Sequence, residues 1–358
     1  MPRPLVTVLI DTYNHERFIE AALNSVLEQD FPRSDTEILV VDDGSTDRTP
    51  EIIGKFGPGI RLIRKTNGGQ ASAFNAGIPE AQGEIVAFLD GDDWWSRDKL
   101  TRVVQALTDD PALGIVGHGI VISYVDGRER PEILREGFRF QANTVEGARL
   151  FRRRGSFLGT SRMTIRTQLL RRIGPVPEAL LVQADEYLYT LASVLAGAQI
   201  LPETLTYYRV HDANGFYLSV HDPRLLRRKQ VVLAALSQAL AAELRGRQFS
   251  AELVEAIVGI IQAQADQFRL MLDGGWSWET VQTERKIYQV SYPEAPLLHR
   301  VFKSATLLAA AALPPKFYYA LQRNLSSNDR YLRARRRWLP SPEMSHLKHS
   351  AGQSDEAR

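Results

Sequence analysis

The feature that most constrains this chain is the strand–helix alternation of its first 107 residues, in which strands end on polar, acid-rich turns. "LVTVLI", starting at Leu5, is short, apolar and rich in β-branched residues, the signature of a buried strand. "ERFIEAALNSVLEQ" follows as a helix, with Phe18, Ala21, Ala22, Ser25 and Val26 predicted on one face. "EILVVDD" is a second strand, and "GSTDRTPEIIGKF" opens a second helix with Ser45, Thr46 or Asp47 as its N-cap. "IRLIRK" is a third strand, "GGQASAFNAGIPEA" a Gly-rich turn into a helix, "EIVAFLD" a fourth strand, and Asp98 to Leu107 the helix after it. Strands separated by helices of this length predict βαβ units and a parallel sheet, and such sheets bind ligands beyond the carboxyl ends of their strands. Three segments fall there: "DTYN" from Asp11, "DDGS" from Asp42 and "DGDD" from Asp90.

Downstream, Ile115 to Phe140 reads as β-structure with a turn at Asp126-Gly127, "ADEYLYTLASVLAG" as a helix, and "LPETLTYYRVH" as turn and strand. From about Asp222, long Ala- and Leu-rich amphipathic segments continue to about residue 325, and the tail beyond Pro340 is polar. The expected organisation is a domain over 1–221, split into halves at 1–110 and 111–221. A helical region over 222–340 and a disordered tail over 341–358 follow. The 358 residues are enough for such a plan. The absence of cysteine excludes disulfides, thiolate zinc sites and a cysteine nucleophile. A formal net charge of +2, with no recognisable nucleic-acid module, argues against a nucleic-acid partner. The apolar stretch Leu5 to Ile10 ends at Asp11 and does not read as a signal peptide. No run reaches the roughly 20 apolar residues of a spanning helix, so a cytoplasmic location is expected.

The acidic turns carry the chemistry. In "FLDGDDWW" a strand delivers Asp90, Asp92 and Asp93 into one tight turn around Gly91. Carboxylates so crowded repel one another unless a cation or hydrogen-bond donors neutralise them. An all-oxygen set suits Mg²⁺ or Mn²⁺, which can also bridge a diphosphate. A solvated acidic turn capping the next helix is the competing reading. Asp42 and Asp43 at the second strand end offer acceptors for a base or ribose, or simply turn and cap chemistry. Gly68 and Gly69 permit close backbone approach at a helix start, but the segment lacks dinucleotide-site spacing and the Gly-Lys-Ser/Thr of a phosphate loop.

Taken in order, "VTVLIDTYN", "EILVVDDGSTDRT", "NGGQASAFNAGI", "AQGEIVAFLDGDD" and "RDKL" resemble the nucleotide-binding half of the inverting family 2 glycosyltransferases. A looser likeness continues to about residue 215 through "IGPVPE", "ADEYLY" and "YYRVH". The resemblance implies a GT-A fold, a Rossmann-like nucleotide half with a mixed, mostly parallel sheet joined to an acceptor half. It also implies a nucleoside diphosphate sugar as donor, a UDP-sugar being favoured, and a divalent metal, Mn²⁺ or Mg²⁺. Carried over by position, Asp43 reads the nucleobase, with Asp11, Thr12, Tyr13 and Asn14 lining the same pocket. Asp90, Gly91 and Asp92 form the Asp-x-Asp motif that holds ribose and metal-bound diphosphate, with Asp93 supporting it. Gly69, Gln70 and Asn75 pass near the nucleotide. Asp185 aligns with the family's general base, in "QADE" where members usually carry Glu-Asp, and Glu186 is the alternative. His211 matches a position that approaches diphosphate or metal. Arg209 could support phosphates or pair with a carboxylate, and Trp94 and Trp95 could floor a sugar site or pack in the core. The chain departs from the family at Asp11, where Pro or Thr is usual, and at Phe74, where Arg is usual.

The expected reaction is inverting transfer of a sugar to a glycan or lipid-linked acceptor hydroxyl, in the making of cell-surface polysaccharide or glycoconjugate. Competing readings are a non-catalytic nucleotide-sugar-binding homologue, a membrane-surface scaffold, and a nucleotidyltransferase, for which "VLIDTYNHERF" is a poor match. Arg300, Lys303, Lys316 and Arg323 flank an apolar run and the aromatic patch Phe317-Tyr318-Tyr319. "RYLRARRRWLP" follows. Basic residues interleaved with aromatics suit an anionic membrane surface, here the inner face of the cytoplasmic membrane, or else an amphipathic helix packed on the remainder of the chain.

Overall fold

A computed structural model describes residues 4–211, 222–292 and 295–326. The polar tail and the "RYLRARRRWLP" segment lie outside the described residues. The chain divides into two compact units, Met1–Phe151 with Gly155–His211, and Arg152–Arg154 with Asp212–Arg358.

In the first unit the predicted alternation is present as β1 (Val6–Thr12), α1 (Ile19–Leu27), β2 (Thr36–Asp42), α2 (Thr49–Gly54), β3 (Arg61–Arg64), α3 (Gly69–Gly77), β4 (Ile85–Asp90), a two-residue β5 (Trp94–Trp95) and α4 (Lys99–Asp109). Then come β6 (Leu113–Tyr124), β7 (Glu129–Pro131), β8 (Phe138–Phe140), α5 (Val145–Arg154), β9 (Thr164–Arg166), α6 (Thr167–Ile173), α7 (Ala184–Leu195) and β10 (Gly197–Val210). One mixed sheet runs β3-β2-β1-β4-β9-β6-β10-β5, with β7 added beside β6 and β8 beside β10. The β3-β2-β1-β4 portion is parallel throughout, and β9 is antiparallel to both β4 and β6.

β1 is central, so both of its faces are covered and it must be apolar on both. Val6, Val8, Leu9 and Ile10 are wholly buried, each contributing about 1.5–3 kcal/mol relative to exposure. The register decides where function can lie. Asp11 pairs with Asp90 of β4, and Thr12 with Asp42 of β2. Three parallel strands therefore end in step and deliver their acidic turns to one edge of the sheet.

Two local expectations are corrected. α1 buries Ile19, Ala22, Leu23 and Val26 and exposes Ala21. Phe18, Ala22 and Val26 of the predicted face are buried, but Ile19 and Leu23 complete it in place of Ala21, because the larger side chains at these positions take the core. α2 begins at Thr49 with Arg48 at the cap position. Asp47 still serves the helix start, accepting the Thr49 amide through Oδ1 at 2.9 Å.

The second unit holds α8 (Pro223–Gly246), α9 (Ala251–Asp273), α10 (Ser277–Ser291), α11 (Leu297–Ala312) and α12 (Pro315–Ser326). Asp222 caps α8 and Ser250 caps α9 through their side-chain oxygens. α8 and α9 pack against each other, and α8 buries Leu233, Leu236, Leu240 and Leu244 while α9 buries Val254, Ile257, Val258 and Ile261. Leu270, Ala310, Tyr318 and Tyr319 form a smaller core. The aromatic patch read from sequence is thus split, with Tyr318 and Tyr319 buried and Phe317 exposed, because successive residues on a helix turn by about 100°. Among the described residues no helix is long and apolar enough to cross a membrane.

Candidate active site

The turns after β1 and β2 are stitched together. Asn14 adopts a left-handed conformation (φ 56°), which an Asn tolerates better than most residues. Its amide donates to Ser45 Oγ at 2.9 Å and its Oδ1 accepts the Thr46 amide at 2.8 Å. The amides of His15 and Glu16 donate to Thr49 Oγ1 and Asp47 Oδ2. This lacing fixes His15. Its Nδ1 lies 3.2 Å from Thr12 Oγ1 and its Nε2 lies 3.8 Å from Asp92 Oδ2. Burial lowers the His15 pKa, against the pull of Asp92, so the ring is neutral near pH 7 with a lone pair available. Tyr13 is exposed in the same turn.

Asp43 is buried, and its oxygens accept from Lys65 Nζ at 2.7 Å, from the Gly68 amide at 3.0 and 3.1 Å, and from the Gly69 amide at 2.7 Å. Gly69 has φ +81°, and a Cβ there would meet the Leu181 backbone at 2.7 Å, so only glycine fits.

At the end of β4 the turn is equally close. A Cβ on Gly91 would fall 2.6 Å from Thr12 Oγ1 and 2.9 Å from His15 Nδ1. Asp90, Asp92 and Asp93 each offer an oxygen within 4.8 Å of the others. Their environments differ. Burial raises Asp90 well above the usual carboxylate range, and Asp11, Asp93 and Asp92 add to it. Burial also raises Asp93, helped by Asp92. Burial would raise Asp92 too, but the His211 hydrogen bond and the neighbouring His15 and His211 imidazoles outweigh it and hold Asp92 low. His211 Nε2 lies 2.9 Å from Asp92 Oδ2. Asp11, behind this group, is pushed up to about 8 by burial and by Asp92, and its Oδ1 is buried with no hydrogen-bond partner.

Asp93 also braces the site. Its carboxylate accepts from Ser161 Oγ at 2.6 Å and from the Arg209 amide at 2.9 Å, tying β10 to the turn. Arg209 Nε donates to the Asp92 carbonyl at 2.8 Å, and its guanidinium lies 4.3 Å from the centre of the Trp94 ring, which stacks on Tyr207. Trp95 is a core residue. Its Nε1 donates to the Ser161 carbonyl, and the buried Lys99 Nζ sits 3.3 Å from its ring centre.

Asp185, on the first turn of α7, accepts the Thr160 amide at 3.1 Å and the Glu186 amide at 2.8 Å. Burial, then the neighbouring Glu186 charge, lifts it to about 6. Thr160 and Ser161 are consecutive, so one dipeptide holds Asp185 on one side and Asp93 on the other. The charge of Asp185 also raises Asp11 and Asp90, which places it close to the acidic group. Gln70 joins the same assembly. Its Nε2 donates to Thr160 Oγ1 and its Oε1 accepts the Ala184 amide, both at 3.0 Å. Asn75 stands apart, with both ends of its amide bonded to the Val176 backbone at 2.8 Å.

Asp11, Thr12, Asp90, Gly91, Asp92, Asp93, Asp185 and His211 thus come together. His15, Thr160 and Ser161 belong with them and were not singled out from sequence. His15 directly follows "DTYN" and was within reach of that motif, whereas Thr160 and Ser161 carry no signal of their own.

Residues 7–174 match the family model of Glycosyl transferase family 2. The chain is 34% identical over 216 residues to an uncharacterized glycosyltransferase of Nostoc sp., covering 58% of this chain and 66% of that protein. It is 38% identical over 98 residues to the poly(ribitol-phosphate) β-N-acetylglucosaminyltransferase TarS of Staphylococcus aureus, covering 26% of this chain and 17% of that one. The chain therefore spans less than two thirds of the length of these relatives. The crystal structure of S. aureus TarS 1–349 in complex with UDP-GlcNAc superposes with a TM-score of 0.53 at 22% identity, covering 88% of this chain and 92% of that one. That likeness shows the fold, a GT-A arrangement followed by a helical region.

Proposed function

The chain belongs to glycosyl transferase family 2, and from that premise we propose that it transfers a sugar from a nucleoside diphosphate sugar to an acceptor hydroxyl, with inversion at the anomeric carbon. The observation that carries this reading is the Thr160-Ser161 dipeptide, which holds a carboxylate of pKa about 6 beside the acidic turn.

The residues fit a divalent cation. Asp90, Asp92 and Asp93 crowd their oxygens, and burial beside neighbouring carboxylates drives Asp90 and Asp93 toward their protonated forms. A cation removes that penalty. Asp92, with Asp90, His211 and His15, would hold it. His211 Nε2 and His15 Nε2 stand 2.9 and 3.8 Å from Asp92 Oδ2, so each would offer a nitrogen donor beside the Asp90, Asp92 and Asp93 oxygens. Imidazole beside carboxylate favours Mn²⁺ over Mg²⁺. When bound, the ion neutralises the diphosphate leaving group.

The other roles fall to the chain itself. Asp185, ionised above pH 6, takes the proton of the acceptor hydroxyl as its oxygen attacks. Thr160 and Glu186 amides orient that carboxylate. Asp43, Thr12, Tyr13 and Asn14 form the base pocket. Asp43, held in place by Lys65 and the Gly68 and Gly69 amides, is the acceptor for a nucleobase N–H. UDP is the favoured nucleotide, because TarS was crystallised with UDP-GlcNAc and shares the fold. The acceptor class is a cell-surface glycan or a lipid-linked saccharide, and the domain division of the chain follows the boundary near residue 221. The exposed apolar and basic faces of α11 and α12 support work at the inner face of the cytoplasmic membrane.

Incubation with UDP-, GDP- and dTDP-sugars and Mn²⁺ tests this, reading nucleotide release and the anomeric configuration of the product by NMR. No release and no nucleotide binding with any donor would overturn it.

A further inference from the structure

α11 is amphipathic in the wrong sense for a packed helix. Among its described side chains only His299 and Ala310 are buried, while Leu297, Leu298, Val301 and Leu308 are 76%, 62%, 60% and 72% exposed. α12 buries Tyr318 and Tyr319 and exposes Phe317, Leu321 and Leu325, spaced four apart on one face. The start of α10 adds Trp276 and Trp278, both exposed. Ser277, between them, donates from Oγ to the Leu313 carbonyl at 2.9 Å, so the two tryptophans stand beside the α11–α12 turn. A Cβ built on Gly274 would lie 3.5 Å from Lys316, which brings that cation to the same place.

The charge around these apolar groups has one sign. Residues 297–326 contain Arg300, Lys303, Lys316 and Arg323 and no Asp or Glu. The nearby acids are neutralised: Asp273 pairs with Arg227, Glu279 with Arg269 and Glu284 with Lys303. Exposed tryptophans, leucines on the open faces of two helices and the exposed cations Arg300 and Lys316 together match a bilayer interface. There an indole sits at headgroup depth, leucines enter the acyl boundary and basic side chains reach back to phosphate. A protein partner or a second copy of this chain would be expected to present, or to need, acidic groups in the patch. The 16 residues of α11 are too few to span a bilayer.

We propose that α11, α12 and the first turn of α10 dock in the plane of an anionic lipid surface, with Leu297, Leu298, Val301, Leu308, Phe317 and Trp278 as the inserted groups. This deepens the membrane part of the functional reading and rests on none of its sugar chemistry. A vesicle assay without donor therefore fails or succeeds independently of catalysis.

The test uses the whole chain with vesicles of phosphatidylcholine alone and of phosphatidylcholine mixed with phosphatidylglycerol. Co-sedimentation with the anionic vesicles is expected, together with a blue shift of tryptophan emission that is lost in a Trp276→Phe, Trp278→Phe variant. Val301→Glu with Leu308→Glu, both on exposed positions, should weaken binding at least about tenfold while leaving the far-UV circular dichroism unchanged. Lys316→Glu should lower binding to the anionic vesicles only. The proposal is overturned if the chain stays in the supernatant with both vesicle types, or if folded Val301→Glu, Leu308→Glu protein binds as tightly as the parent. Light scattering that shows a dimer broken by those two substitutions, without vesicle binding, assigns the face to a second copy and also overturns it.

Discussion

His211 Nε2 lies 2.9 Å from Asp92 Oδ2, and this contact joins the last residue of the "YYRVH" segment to the turn after β4 across 119 positions of sequence. With His15 3.8 Å from the same oxygen, it gives Asp92 two imidazole neighbours, while Asp90 is crowded by Asp11, Asp93 and Asp92, and Asp93 is held by Ser161 and Arg209. Metal binding should depend on this set. Asp92→Asn should abolish Mn²⁺ binding in titration calorimetry without donor, and His211→Ala and His15→Ala should each weaken it about 10–100-fold. Co²⁺ absorption, which reports nitrogen ligation, should change in both histidine variants. An unchanged Co²⁺ spectrum in His15→Ala removes His15 from the ligand set.

Stability should respond to metal in a pH-dependent way. Asp11 has a folded pKa of about 8 against an ordinary 3.8. A carboxyl raised on folding contributes stability that is complete below its unfolded pKa and is lost as pH rises through the folded value. In EDTA the melting temperature should therefore fall between about pH 4 and pH 8. Mn²⁺ substitutes for the missing proton, so its stabilising shift should be larger at pH 8.5 than at pH 6, with about 2–4 °C for each kcal/mol gained. A metal-induced shift that is flat with pH would contradict the crowding of Asp11 with Asp90 and Asp92.

The base should leave its own mark on rate. With Asp185 at about 6, kcat should fall as pH drops through 6 and level off above it, because only the ionised form accepts a proton. Asp185→Asn should lower kcat by about 10²–10⁴ and leave the donor Kd unchanged. If turnover is close to normal, the base is Glu186 or another group.

Gln70 offers a test of how the two halves of the first unit are coupled. Its amide spans Thr160 and Ala184, flanking the backbone that positions Asp185. Gln70→Ala should reduce kcat more than it changes donor affinity, whereas a nucleotide-contacting role would raise the donor Kd first. Calorimetric titration with UDP beside steady-state kinetics separates the two.

Removing Ser161 Oγ leaves the buried Asp93 carboxylate one donor short. Ser161→Ala should cost about 1–3 kcal/mol in urea denaturation. A cost within 0.5 kcal/mol, the range of about ±0.5 kcal/mol typical of surface changes, would mean that the dipeptide does not brace the site.

The sequence by itself determined the strand–helix alternation, the parallel pairing of the first strands and the placing of "DTYN", "DDGS" and "DGDD" at one sheet edge. Periodicity of 2 and 3.6 and the capping chemistry are local, so they survive in a string of letters. Asp185 was reached only through family resemblance, since an acid on the first turn of a helix is ordinary. The tertiary structure alone decided that β9 and β10 cross back beside β4 and β6, which brings Thr160, Ser161 and His211 to the acidic turn. It also decided that Trp95 and Lys99 are core, that Asn75 is bonded to Val176, and that Tyr318 and Tyr319 turn inward while Phe317 stays out. Each of these depends on which distant backbone groups and side chains share one small buried volume. There desolvation and charge crowding set what a residue does, and no local pattern in the sequence encodes that volume.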